Sequence, residues 1–162
     1  MNISRAIINS LICAASLFAQ QHASADPIPR KPDLIISEVN ASRGLRLNNG
    51  THMVPVTFKV TNRGNLDAGA FYVQATYRRP SLGEDTWVSL KTSGRDVLIR
   101  SLRAGETRTV RAIVAGMRPE TNPSTVTIHA DSCIGSEFMP DFCNVDERNE
   151  GNNSTLKVVY VE

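Results

Sequence analysis

The sequence predicts an all-β sandwich built from seven to eight short antiparallel strands. Apolar and polar residues alternate with period two in segment after segment, which is typical of strands buried on one face. Turn-forming Gly, Asn and Pro separate these segments at regular intervals, and no window shows a convincing helical period. Short strands with regular turn signals in a chain of this size favour two packed sheets.

The first predicted elements are a leader, a strand and a hairpin. Residues 26–32 are rich in proline and predict an extended leader. A first strand follows over residues 33–40, and a short segment lies around Leu45 and Leu47. Asn49-Gly50 then predicts a type I′ hairpin turn, because both central positions of that turn need positive φ.

The next strand has the clearest alternation in the chain. Its apolar set points to one side, and Thr57, Lys59 and Thr61 point to the other. The members of the apolar set are Val54, Val56, Phe58 and Val60. The remaining predicted strands, of which the two short ones are placed at a sheet edge, cover 71–78, 87–90, 97–99, 109–114, 125–130 and 156–161.

The amino-terminal segment predicts a secretory signal peptide over residues 1–25. Arg5 precedes a short apolar stretch, and Ala23-Ser24-Ala25 has the pattern of a cleavage site. The apolar stretch is too short to span a membrane, and no other segment approaches the necessary length. We therefore expect an exported chain, periplasmic or extracellular, with the sandwich domain at residues 33–162.

Charge and motifs exclude several classes of function. The chain has a formal net charge of +2, and this near neutrality argues against a nucleic-acid partner. The two histidines outside the signal, His52 and His129, fall on different predicted strands. The chain has no nucleophile-elbow or zinc-protease motif, so we expect no enzyme, although an acidic loop could still supply a carboxylate pair.

The stretch 131–153 holds both cysteines of the exported chain. Cys133 and Cys143 are expected to form one disulfide in an oxidising compartment. Closing so small a loop stabilises a fold by roughly 2.5–3 kcal/mol in the chain-entropy model. A metal–thiolate site is the alternative, but it needs two more soft ligands, which the neighbouring sequence lacks.

The same stretch is rich in hard oxygen ligands and therefore makes calcium the one candidate cofactor. Calcium takes about six to eight oxygen ligands, which include backbone carbonyls. The spacing is not that of an EF-hand, and the alternative is that the acids are solvated while Asn and Gly form turns. The candidate ligands are Asp131, Asp146, Glu147, Glu150, Asn152 and Asn153.

Large apolar residues inside the cysteine loop make it the candidate contact site. Phe138, Met139 and Phe142 lie between the two cysteines, and exposed apolar residues on a loop often contact a partner. The alternative is that they fold inward and cap the open end of the sandwich.

Five segments, in order and at suitable spacing, resemble the CARDB family, the cell-adhesion-related domain found in bacteria. The second ends in N-R-G-N, the fourth reads L-R-A-G-E-T and the fifth reads V-D-E-R-N-E-G-N-N. The resemblance implies an immunoglobulin-like sandwich without enzymatic activity, usually one module of a larger exported or surface protein. The five segments are 32–34, 56–65, 68–73, 102–107 and 145–153.

The sequence therefore predicts a non-catalytic, exported interaction or adhesion-type module. Its expected partner is a protein or glycan at the cell envelope, and its candidate contact is the stretch 131–153. The alternatives are a structural accessory module of an envelope assembly and a small secreted hydrolase or inhibitor.

Overall fold

The computed structural model describes residues 29–131 and 145–162. Within these residues the chain forms nine strands and no helix, and all strand-to-strand pairings are antiparallel. The prediction of an all-β antiparallel fold is confirmed. The strands are β1 (Leu34–Ala41), β2 (Leu45–Arg46), β3 (His52–Asn62), β4 (Phe71–Arg79), β5 (Glu84–Thr92), β6 (Arg95–Ile99), β7 (Thr107–Met117), β8 (Ser124–Ala130) and β9 (Ser154–Val159).

The strands form two layers around one core. The first layer contains β1, β3 and β7 with β2 at its side, and the second contains β6, β4, β8 and β9. Strand β5 belongs to both, because residues 84–88 pair with β4 and residues 89–91 pair with β7. At the opposite side, the Thr155 hydroxyl donates to the Ile36 carbonyl at 2.6 Å and so ties β9 to β1. The result is a nearly closed, barrel-shaped sheet, and the immunoglobulin-like topology stays a prediction.

Two sequence expectations about the strands are corrected. The count is nine rather than seven to eight, and β2 has only two residues. The segment around Trp87 is not a short edge strand but part of β5, which has nine residues and joins the layers. Its first half, Glu84-Asp85-Thr86, is polar on both faces, so period two gives no sign of it.

The type I′ turn lies elsewhere than predicted. Gly50 has a φ of 77°, but Asn49 is not among the residues with positive φ. The Asn49 side chain instead accepts hydrogen bonds from the N–H and hydroxyl of Thr51. Ser93 and Gly94, with φ of 49° and 77°, form the two-residue connection between β5 and β6.

The core confirms the alternation of β3, whose apolar set is buried between the layers. The segment 156–161, which contains the end of β9, behaves differently, because Val159 and Val161 are buried while Leu156, Val158 and Tyr160 are exposed. The exposed set is apolar and the set to which the buried residues belong contains Lys157, so the sequence pattern does not show which set faces the core. None of the described residues belongs to a helix long and apolar enough to cross a membrane.

Candidate functional site

One end of the fold collects four of the segments that the sequence made conspicuous. We call it the motif end, and it consists of residues 31–34, 62–68, 102–106 and 145–153. These residues meet because β3 ends there, whereas β1, β7 and β9 begin there. Hydrogen bonds from the Arg63 and Arg148 N–H groups to the Asp33 and Pro32 carbonyls join the segments directly.

Asn62 is the buried centre of the motif end. Its side-chain oxygen accepts hydrogen bonds from the N–H groups of Asp33 at 3.1 Å and Gly64 at 2.9 Å. Its amide nitrogen donates to the carbonyls of Leu66 at 2.8 Å and Leu102 at 3.0 Å. One fully buried side chain therefore connects the start of β1 with two turns.

Gly64 allows the leader to lie directly on the turn after β3. A Cβ atom at this position would come within 2.3 Å of the Lys31 carbonyl oxygen and 2.6 Å of the Pro32 carbonyl carbon. The neighbouring Asn65 side chain accepts a hydrogen bond from the Lys31 N–H at 3.0 Å. The N-R-G-N motif thus holds the leader by close backbone approach and by amide hydrogen bonds.

The acidic residue of the L-R-A-G-E turn stabilises that turn. Glu106 accepts hydrogen bonds from the Arg103 N–H at 2.9 Å and from the Arg108 guanidinium at 2.7 Å. These two donors hold the pKa of Glu106 below its ordinary value. Gly105, with φ of 77°, donates its N–H to the Asn62 carbonyl at 2.8 Å and so fixes the turn to the end of β3.

Glu147 is a buried carboxylic acid between the rest of the segment 145–153 and β1. Its oxygens accept hydrogen bonds from the Leu34 N–H and from the Asn153 amide, the latter at 3.2 Å. Burial raises the pKa of Glu147 to about 7, and the negative charges of Glu150 and Asp131 act in the same direction. The hydrogen bonds from Leu34 and Asn153 oppose the rise but do not cancel it.

Asp131 directly precedes the segment 132–144 and binds the residue that directly follows it. It is fully buried, and its φ of 45° lies in the left-handed region, which Asp tolerates better than most residues. Its carboxylate accepts a hydrogen bond from the Val145 N–H at 2.7 Å. Residues on both sides of the segment are therefore joined directly.

Two other residues of the segment 145–153 bind the chain just before β1. Asp146 forms an exposed ion pair with Lys31 at 2.5 Å, and the Asn152 amide donates to the Asp33 carboxylate at 2.9 Å. The Asn152 side-chain oxygen is buried and has no hydrogen-bond partner among the described residues.

The predicted calcium ligands thus form hydrogen bonds within the fold, the carboxylates as acceptors and the Asn152 and Asn153 amide nitrogens as donors. Asp131 and Glu147 accept from backbone N–H groups, and Glu150 accepts from the Glu147 N–H at 3.1 Å. Among the described residues, no three His, Cys, Asp or Glu side chains are grouped so that they could hold a metal ion. The described carboxylates do not fit a calcium site as they stand, and calcium binding stays a prediction.

Several predicted features lie outside the described residues. They are the signal peptide, the cysteine pair Cys133 and Cys143, and the apolar residues Phe138, Met139 and Phe142. The disulfide and the partner contact therefore stay predictions.

The two histidines engage separate partners. His52 Nε2 lies 2.9 Å from the Glu162 carbonyl oxygen, and His129 Nε2 lies 3.0 Å from the Thr76 hydroxyl. His52 is on β3 in the first layer and His129 is on β8 in the second.

The sequence reasoning missed a second region, which we call the Trp87 face. It is the outward side of the second layer where β5, β4, β8 and β9 lie side by side. The Trp87 and His129 rings contact each other there with centroids 5.5 Å apart and planes at 53°. The strand pairings that bring these residues together are not readable from the sequence. The face consists of Gln74, Thr76, Trp87, Thr127, His129 and Leu156.

A cavity of about 390 Å³ lies beyond the exposed end of β9. Its lining includes the side chains of Arg43, Asn122 and Tyr160. Asn122 is fixed by hydrogen bonds with the backbone of Val161, and Arg43 lies 3.4 Å from the Glu162 carboxylate.

Comparisons with known proteins agree with the fold. A CARDB family model matches residues 31–157. The crystal structure of the CARDB domain of the PF1109 protein from Pyrococcus furiosus, in complex with di-metal ions, matches with 16% identity and a TM-score of 0.51. The match covers 83% of this chain and 97% of that one. The solution structure of the same domain matches with 16% identity and a TM-score of 0.44, over 82% and 97% of the two chains. No curated protein matches the chain.

Proposed function

Because this chain belongs to the CARDB family of adhesion-related domains, we propose that it is a non-catalytic interaction module. We further propose that it is exported and that it binds a protein or glycan at the cell envelope. The candidate contact is the segment 132–144, with Phe138, Met139 and Phe142 as its apolar residues.

The observation that carries this proposal is the set of hydrogen bonds that fix the residues on both sides of the segment 132–144. Before the segment, the Ala130 and Asp131 N–H groups donate to the carbonyls of Asn153 and Tyr72 at 2.8 and 2.9 Å. After it, the Val145 N–H is held by the Asp131 carboxylate. A loop whose two ends are fixed to a sheet presents its residues on a rigid scaffold, as binding loops commonly do.

The hydrogen bonds of the motif end support the same assignment. Its acids and amides hold the leader and the turns together, so they are engaged within the fold. Export is supported by the predicted signal peptide and by the extracellular type of CARDB domains.

The test also asks whether the partner contact depends on bound calcium. The Pyrococcus furiosus domain was crystallised in complex with di-metal ions. In this chain a divalent cation at Asp131 or Glu147 would compete with the backbone N–H donors of Val145 and Leu34. We therefore expect the main partner contact to survive a chelator.

The proposal is tested by capture from envelope and medium extracts. The exported chain, residues 26–162 in oxidised form, is immobilised in calcium buffer, and bound material is eluted first with chelator and then with denaturant. We expect a specific protein or glycan in the denaturant fraction. The double substitution Phe138→Ser with Phe142→Ser should abolish its capture without changing the circular dichroism spectrum.

Leu82→Ser serves as the matched control, because Leu82 is a 52% exposed apolar residue on the connection between β4 and β5. This variant should capture the partner as the unchanged chain does. Equal capture by the double variant would contradict the proposed contact, and elution by chelator would place a cation in it. An empty column in both fractions would contradict the proposal itself.

A structural accessory role is the second candidate, and strand β9 favours it. Leu156 on this edge strand and Tyr160 directly after it are 59% and 60% exposed, and exposed apolar residues at a sheet edge can form an assembly contact. Leu156→Ser with Tyr160→Ser should then release the chain from its assembly, whereas the Phe138 and Phe142 substitutions should not.

A further inference from the structure

We infer that the Trp87 face is a binding platform for neutral polysaccharides, separate from the segment 132–144. Four features of the face support this: the register of its four strands, the neighbours of the Trp87 indole ring, the charge of the face, and the Gln74 side-chain oxygen.

The strand register places the residues of this platform in two rows. Trp87 lies opposite Thr76, which lies opposite Thr127, which lies opposite Leu156. Residues directly opposite each other in antiparallel strands project from the same side of the sheet. In the adjacent row Gln74 lies opposite His129. The outward side of the layer therefore presents aromatic, hydroxyl and amide groups across four strands.

The indole ring of Trp87 is supported by its neighbours. The His129 ring contacts it, and His129 Nε2 is held by the Thr76 hydroxyl at 3.0 Å. Thr76 is only 4% exposed, whereas Trp87 is 39% exposed. A supported aromatic ring that remains accessible can stack against the C–H face of a pyranose ring at a small cost in conformational entropy.

The charge of the face favours an uncharged ligand. Among the outward positions of β4, of the β5 half that pairs with β4, of β8 and of β9, only Arg78 and Asp85 are charged. They lie 3.6 Å from each other and offset each other's charge. Burial lowers the pKa of His129, so its ring is neutral at neutral pH. An ionic partner would find no excess of opposite charge here.

Gln74 supplies the polar part of the argument. Its side-chain oxygen is buried and has no hydrogen-bond partner among the described residues. A buried acceptor without a donor is unfavourable, so a hydroxyl brought within reach of it would gain a hydrogen bond without displacing an existing one. Sugar hydroxyls both donate and accept, which also suits the hydroxyl of Thr127 on the same face.

The test is native affinity electrophoresis of the exported chain. Gels contain hydroxyethylcellulose, arabinoxylan or a linear β-1,3-glucan, each at graded concentration. We expect the chain to be retarded by at least one of them, and the matching hexasaccharide to shift the emission of Trp87, which is the chain's single tryptophan. Trp87→Ala should weaken the association by about tenfold or more, and Gln74→Ala by a smaller factor.

The control is Ile113→Thr, because Ile113 is 41% exposed on β7 in the first layer, away from the Trp87 face. Its retardation should equal that of the unchanged chain, and Trp87→Phe should keep part of the binding. Thermal unfolding followed by circular dichroism confirms that each variant is folded.

Three results would overturn the inference. They are mobility unaffected by every polysaccharide, retardation that Trp87→Ala leaves unchanged, and self-association that Trp87→Ala abolishes. The last would show that a second copy covers the face. The double substitution Phe138→Ser with Phe142→Ser separates this site from the proposed function. It should abolish capture of the partner and leave polysaccharide binding unchanged.

Discussion

The motif end and the Trp87 face use polar residues in different ways. Asn62 and Glu147 of the motif end are buried, as is Asp131, which binds Val145 of that end, and these side chains accept hydrogen bonds from backbone N–H groups. On the Trp87 face the polar groups lie beside an accessible aromatic ring. A conspicuous cluster of acids and amides therefore stabilises the fold, whereas an inconspicuous sheet surface has the properties of a binding site. Substitutions in the two regions should consequently affect stability and binding separately.

Asn62→Ala should produce the largest loss of stability. It removes four hydrogen bonds from a fully buried side chain and leaves the Asp33 and Gly64 N–H groups without their acceptor. We expect the free energy of unfolding to fall by about 3–5 kcal/mol in urea denaturation. Asn65→Ala is the matched control at an exposed position of the same turn and should cost far less. Equal losses for the two variants would contradict the central role of Asn62.

Glu147 should make stability depend on pH. Its pKa is about 7 in the folded chain and near its ordinary value of 4.5 in the unfolded chain. Between these values the unfolded chain loses a proton that the folded chain keeps, so stability falls as pH rises from 4.5 to 7. The full change is on the order of 3 kcal/mol.

The measurement is the free energy of unfolding at several pH values, for the unchanged chain and for Glu147→Gln. The difference between the two isolates Glu147 from His129, whose lowered pKa makes stability rise with pH in an overlapping range. The pKa of Glu106 is lowered in the folded chain, so its contribution to stability is lost only when the pH falls below the pKa that this group has in the unfolded chain. Parallel profiles for the two chains would show that Glu147 does not titrate in this range.

Gly64→Ala tests the close approach of the leader. The added Cβ would lie 2.3 Å from the Lys31 carbonyl oxygen, so the leader or the turn must move. We expect a loss of about 1–3 kcal/mol in the free energy of unfolding. Gly69→Ala is the control, because a Cβ there meets nothing within 4 Å and its φ is not in the left-handed region. If Gly69→Ala is as harmful as Gly64→Ala, backbone crowding is not the cause.

The difference between the motif end and the Trp87 face also explains which parts of the fold and of the candidate sites could be predicted from the sequence. Strand β3 was predicted well because its two faces differ strongly in polarity, whereas each face of β9 mixes polar and apolar residues. The motif segments were recognised as important, but the sequence left open whether their acids are calcium ligands or solvated groups. The donors they engage belong to the backbone of remote residues, such as Leu34 for Glu147, and a one-dimensional pattern contains no trace of them. The Trp87 face was missed because it exists only through the pairing of β5, β4 and β8.

Trp87→Ala should show the smallest change in stability and the sharpest contrast with the motif end. The indole is 39% exposed and contacts mainly its neighbours on the sheet surface, so its removal leaves no enclosed cavity. We expect the free energy of unfolding to change by no more than about 1 kcal/mol, while the association with polysaccharide weakens by about tenfold or more. For Asn62→Ala at temperatures where it remains folded, the retardation should persist. If Trp87→Ala instead destabilised the chain as strongly as Asn62→Ala, the aromatic pair would be part of the structural framework, and the division between a stabilising end and a binding face would fail.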